Sequence, residues 1–165
     1  MILEAKRDLK KGEELFISYI KKKSDDDLFI CHGFCDPPGS NSNTTVLFTL
    51  QDIVESLSNL PKISKWEKLK RSQKKNMDYF ISLDEISDDL IFDLAFLSGT
   101  KTQHVYMCLE DSEFAKHNQF FENFKICLRR KEESILNELQ EDLKGNEVRR
   151  CHLFIVQLYL KKLFI

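Results

Sequence analysis

Between Ser112 and Lys144 apolar side chains return at helical intervals, with Phe121, Phe124, Leu128, Ile135, Leu139 and Leu143 near one face. The other face carries Arg129, Arg130, Lys131, Glu132 and Glu133. A helix divided in this way is stable only when its apolar stripe is covered, so the chain must fold around it. Gly145-Asn146 supplies the expected stop. Val148 to Phe164 then reads as a last helix, apolar nearly all round and therefore well buried.

The chain changes character near residue 60. Beyond it the patterns are helical. Leu90, Leu94 and Leu97 share one face, Ser98-Gly99 is a plausible stop, and Ser82 with Glu85 has capping-box spacing, with Ser87 as a rival N-cap. Before it lie short β-type runs. Ile2 to Ala5 is followed by the turn Arg7 to Gly12, where Gly12 supplies a positive φ, and then by the buried strand expected over Leu15 to Ile20. A polar stretch with Lys21 to Lys23 and Asp25 to Asp27 precedes an apolar cluster of Leu28, Phe29, Ile30 and Phe34. After the loop Asp36 to Asn41, Thr44 to Leu50 reads as another strand.

Composition narrows the function classes. Hydrophobic residues at 42%, with only five glycines and three prolines, supply a core and argue against disorder. Thirteen phenylalanines contribute much of it. A formal net charge of −2 gives no overall electrostatic case for nucleic acid or an acidic membrane. Five cysteines (Cys31, Cys35, Cys108, Cys127 and Cys151) lack disulfide-scaffold spacing, which fits a reduced intracellular compartment, cytoplasmic or nuclear. The first residues contain no apolar h-region, so no signal peptide is expected. The terminal run Leu153 to Ile165 is broken by Gln157, Lys161 and Lys162 and falls short of the roughly 20 apolar residues of a membrane span.

The most informative stretch is Ala5 to Phe34. Arg7-Asp8-Leu9 and Gly12-Glu13-Glu14 lead into a strand ending at Tyr19. Lys23-Ser24-Asp25, the apolar run Leu28 to Ile30, and His32-Gly33-Phe34 follow. This order resembles the end of a SET domain, in the branch of protein-lysine methyltransferases related to the Rubisco large-subunit lysine methyltransferase. Asp25 stands where that branch usually has asparagine, and Ile20 follows the tyrosine where glycine is frequent. A weaker likeness continues through Asp36 to Leu50, Asp84-Glu85 with Leu90 to Leu97, and Cys127 to Leu136. The fold class implied is α+β. It comprises a short β-rich SET-domain remnant over residues 1–36, a loop, strand and linker over 37–60, and a mainly α-helical substrate-binding lobe over 61–165.

The resemblance also implies a chemistry. A neutral lysine amine attacks the sulfonium methyl of S-adenosylmethionine in line, so the site must align two ligands and exclude water. By resemblance Tyr19 is the catalytic tyrosine whose hydroxyl orients the amine. Its phenol stays neutral near pH 7, since an unperturbed tyrosine has a pKa of about 10. By resemblance Phe34 stacks on the adenine, and His32 and Gly33 give backbone contacts to it. The expected partner is a protein substrate held by the helical lobe. The upstream glycine segment and Asn-His pair of that family do not occur here, so cofactor binding by this polypeptide alone is not expected. A non-catalytic helical protein-interaction module derived from that family is the alternative.

Three other patterns read as structural. Cys31-His32-x-x-Cys35 has an unusual spacing for zinc, and no metal site is expected. Asp25-Asp26-Asp27 reads as a solvated acidic turn and not a cation loop. The basic run Lys62 to Lys75 around Trp66, interrupted by Glu67, reads as a solvated helix face or linker.

Overall fold

A computed structural model describes residues 7–14, 23–73, 79–110, 118–141 and 145–164. Seven helices and two short strands run in the order α1 (Asp25–His32), β1 (Val46–Leu47), α2 (Leu50–Ser56), α3 (Ile63–Ser72), β2 (Phe80–Ile81), α4 (Asp88–Ser98), α5 (Thr102–Glu110), α6 (Gln119–Glu141) and α7 (Asn146–Phe164). The described residues are therefore mainly helical with a small antiparallel sheet, in keeping with an α+β class. None of their helices is long and apolar enough to cross a membrane.

The region before residue 60 is more helical than its residues suggested. The acidic run is not a solvated turn. It is the first turn of α1, where the Ser24 hydroxyl accepts from the Asp27 amide at 3.2 Å and the Asp27 carboxylate accepts from the Ser24 amide at 3.4 Å. That reciprocal cap, with three carboxylates at the positive end of the helix dipole, outweighs the weak helix propensity of aspartate. Thr49 and Asp52 repeat the device. The strand expected over Thr44 to Leu50 consequently stops at Leu47, and Leu50 opens α2. Val46 pairs with Ile81 and Leu47 with Phe80, and the Phe48 amide extends the pairing by donating to the Tyr79 carbonyl at 2.7 Å. The turn before these elements is as expected, with Gly12 at φ 86°. The strands expected on either side of it, Ile2 to Ala5 and Leu15 to Ile20, lie outside the described residues.

Around α6 the other helices gather. It packs most extensively on α7 and also on α4 and α2. Phe120, Phe121, Phe124 and Leu128 are fully buried there, facing Leu90 and Leu94 of α4 and Ile155 and Val156 of α7. The last helix differs from expectation, because its surface is divided. Val148, Cys151, Ile155, Val156 and Tyr159 face inward, while Arg150, Phe154, Gln157, Lys161 and Lys162 face solvent. α6, α1 and β1 cover part of this helix, and its remaining side meets water.

Ser87 is the residue before α4, yet its hydroxyl accepts the Phe80 amide at 2.9 Å instead of capping the helix. Ser82 builds the preceding turn, accepting from the amides of Asp84 and Glu85. Gly99, at φ 70°, ends α4 as expected.

Candidate functional site

The four residues singled out for methyl-transfer chemistry fall in two groups. Tyr19 lies outside the described residues. His32, Gly33 and Phe34 form the corner where α1 ends. Gly33 adopts φ 77° and its amide donates to the Phe29 carbonyl at 2.9 Å, so only its carbonyl can serve an adenine edge. An added Cβ at Gly33 would meet nothing within 4 Å, so the demand for glycine there comes from the left-handed backbone and not from crowding. The reversal at Gly33 lets the His32 and Phe34 rings stack with centroids 6.0 Å apart and planes at 29°. Phe34 is half-buried and His32 exposed. The described residues thus offer one aromatic wall for a flat ring.

What holds that corner is a residue read earlier as part of a solvated turn. Asp25 is 1% exposed. Its carboxylate accepts from Thr44 Oγ1 at 2.7 Å, from the Asp36 amide at 3.1 Å and from Asn41 Nδ2 at 3.2 Å. Its own amide donates to Thr44 Oγ1 at 2.9 Å. Four bonds from one buried aspartate tie the loop after Phe34 to the start of α1. The loop also rests on α7, where the Cys151 thiol donates to the Asp36 carbonyl at 3.6 Å.

Beyond the corner, α1 leans on α7 through Asp26 Oδ2 and His152 Nε2, 3.0 Å apart. The hydrogen bond from His152 holds the Asp26 carboxyl below the usual carboxylate range. Arg149 Nε donates to Glu138 Oε2 beside this pair at 3.0 Å. All four groups border both of two open clefts of about 390 and 400 Å³. A carboxylate-oriented imidazole at a cleft can accept and return a proton. Sequence reasoning missed it because its halves are 126 positions apart. Ser24-x-x-Asp27 alone carried a local signal, the cap spacing that places Asp26 in a first turn.

Cys31 and Cys35 do not act together. Cys31 is exposed and accepts from Lys23 Nζ at 3.5 Å, whereas Cys35 donates to the Asp25 carbonyl at 3.8 Å. No cluster of three or more metal-ligating side chains occurs among the described residues. Burial and then Asp25 push the Cys35 thiol up to about 11 and Cys151 to about 12, and burial pushes Cys127 to about 12. Alkylation needs the thiolate. Near neutral pH, iodoacetamide is therefore expected to modify Cys31 well before Cys35, Cys127 or Cys151, as read by peptide mass spectrometry. Equal rates at Cys31 and Cys151 would contradict this burial pattern.

The basic run separates similarly. Trp66 is 2% exposed and belongs to the core, and Lys70 turns inward to Asp93 at 2.7 Å. Lys62, Lys65 and Lys68 remain on the solvent side.

No family model, curated protein or solved structure matches the chain.

Proposed function

We propose that this chain is a portion of an S-adenosylmethionine-dependent protein-lysine methyltransferase of the SET type, its helical part serving to hold the protein substrate. The observation that carries this reading is the His32-Gly33-Phe34 corner. It follows a capped helix, reverses on a left-handed glycine and presents two stacked rings. A half-buried phenyl face fixed at its base by the Asp25 network suits the stacking of a purine. In this reading S-adenosylmethionine, when bound, would supply an electrophilic methyl group for a lysine amine. Phe34 would hold one face of the adenine, His32 and Gly33 would give it backbone contacts, and Tyr19 would orient the amine.

A second reading is a helical protein-interaction module without catalysis. It is favoured by Phe92 and Phe96, two aromatic side chains more than half exposed on one side of α4.

Saturation-transfer NMR with S-adenosylhomocysteine separates the two, since it registers weak contacts. Stable cofactor binding is not expected of this polypeptide alone, but under the methyltransferase reading the corner still makes transient contacts, so the adenine protons gain saturation from the wild-type chain and lose most of it with Phe34→Ala. No transfer from the folded wild-type chain, or equal transfer from both, removes the cofactor site and leaves the interaction module.

A further inference from the structure

The outer side of α4 has a polarity of its own. Asp88, Phe92 and Phe96 follow at intervals of four residues and so form one line along the helix. Phe92 is 56% and Phe96 55% exposed, while Leu90 and Leu94 on the opposite side are completely buried. At one end of the line stands the Asp88 carboxylate, which accepts from the Tyr106 hydroxyl at 2.5 Å, with exposed Glu85 just before it. At the other end the Lys62 ammonium lies 5.6 Å from the centre of the Phe96 ring. Neither Asp88 nor Lys62 takes part in a salt bridge among the described residues, although seven Lys or Arg salt bridges form elsewhere among them.

A line that is acidic at one end, aromatic in the middle and basic at the other is complementary to its own reverse. A two-fold axis midway between Phe92 and Phe96 lays α4 of one copy antiparallel on α4 of another, each Phe92 against the partner's Phe96 and each Asp88 beyond it toward the end of the helix where Lys62 lies. Each Asp88 then faces the partner's Lys62, and the four phenylalanines lose water together. We propose that a second copy of this chain covers the face, forming an antiparallel α4–α4 homodimer. The line from Asp88 to Phe96 is only about 12 Å long, so the contact is small and the dimer weak and reversible.

Sedimentation equilibrium over a concentration series tests this, with far-UV circular dichroism confirming that each variant is folded. The wild-type chain is expected to move from 19.5 kDa toward twice that mass as concentration rises. Asp88→Lys and Lys62→Glu each place like charges at both ends of the contact, so either variant alone stays monomeric. An equimolar mixture restores opposite charges at both ends and dimerises at least as well as wild type. A wild-type chain that remains monomeric throughout overturns the proposal, with a different partner then left to cover the face. Reversals that dimerise as wild type does, or a mixture that stays monomeric, overturn it equally.

Discussion

Replacing Phe124 with alanine is expected to lower the free energy of unfolding by about 3–5 kcal/mol, a large share of what a small domain has. Phe124 sits fully buried in the second turn of α6. Its ring lies 6.0 Å from Phe120 at a tilt of 40°, and 6.3 Å from Tyr159 of α7 in an edge arrangement of 67°. Removing it therefore vacates the seam between the two longest described helices, where the remaining Phe120 and Tyr159 rings cannot close the gap by rotamer changes alone. Phe92→Ala is the internal control. It deletes the same atoms from a side chain that is mostly in water and should cost no more than about 0.5 kcal/mol in the dilute monomer. Urea melts with an unchanged slope for both variants measure the difference. A Phe124→Ala loss below about 1 kcal/mol would show that α6 is not the organising helix.

Much of that core could be read in the residues, because α6 obeys a single period. Phe121, Phe124, Leu128 and Ile135 are buried as their spacing requires, and Arg129, Arg130 and Glu133 are exposed. Phe120 and Asn123 are buried too, since α6 has neighbours on more than one side, and no single stripe reveals a helix packed by α2, α4 and α7. The first third was harder to read. Short elements are governed by caps more than by periodicity, and the Ser24–Asp27 and Thr49–Asp52 pairs converted segments with turn-like or strand-like composition into helices. Of the candidate site, the His32-Gly33-Phe34 run could be singled out from its residues. The groups that fix it could not. Asp25 reaches Thr44 across 19 positions, and Asp26 reaches His152 across 126, distances at which only the folded chain brings partners together.

Lys70 gives the same lesson an energetic form, because a lysine in a basic run turned out to be half of a buried pair. Its ammonium meets Asp93 at 2.7 Å with side chains only 17% and 10% exposed, and the Tyr79 hydroxyl donates to the same carboxylate. Burial, followed by this bond to Asp93, drives the Tyr79 phenol far above its ordinary pKa. Asp93→Ala would remove the carboxylate that the Lys70 ammonium and the buried Tyr79 hydroxyl share, at a cost of about 3–5 kcal/mol. Asp93→Asn keeps an acceptor for Tyr79 but removes the charge, so its loss should be smaller. The double variant Lys70→Met with Asp93→Leu discards both charges and should recover the part of the Asp93→Ala loss that comes from the ammonium, because desolvation offsets most of what such a pair contributes. A double variant no more stable than Asp93→Ala would instead mean that the pair itself stabilises the packing of α3 on α4. Asp93 faces inward from α4 while Phe92 beside it faces outward. Hence Asp93→Ala chain that is still folded should dimerise as the wild-type chain does, which separates the energetics of the helix's inner side from recognition on its outer one.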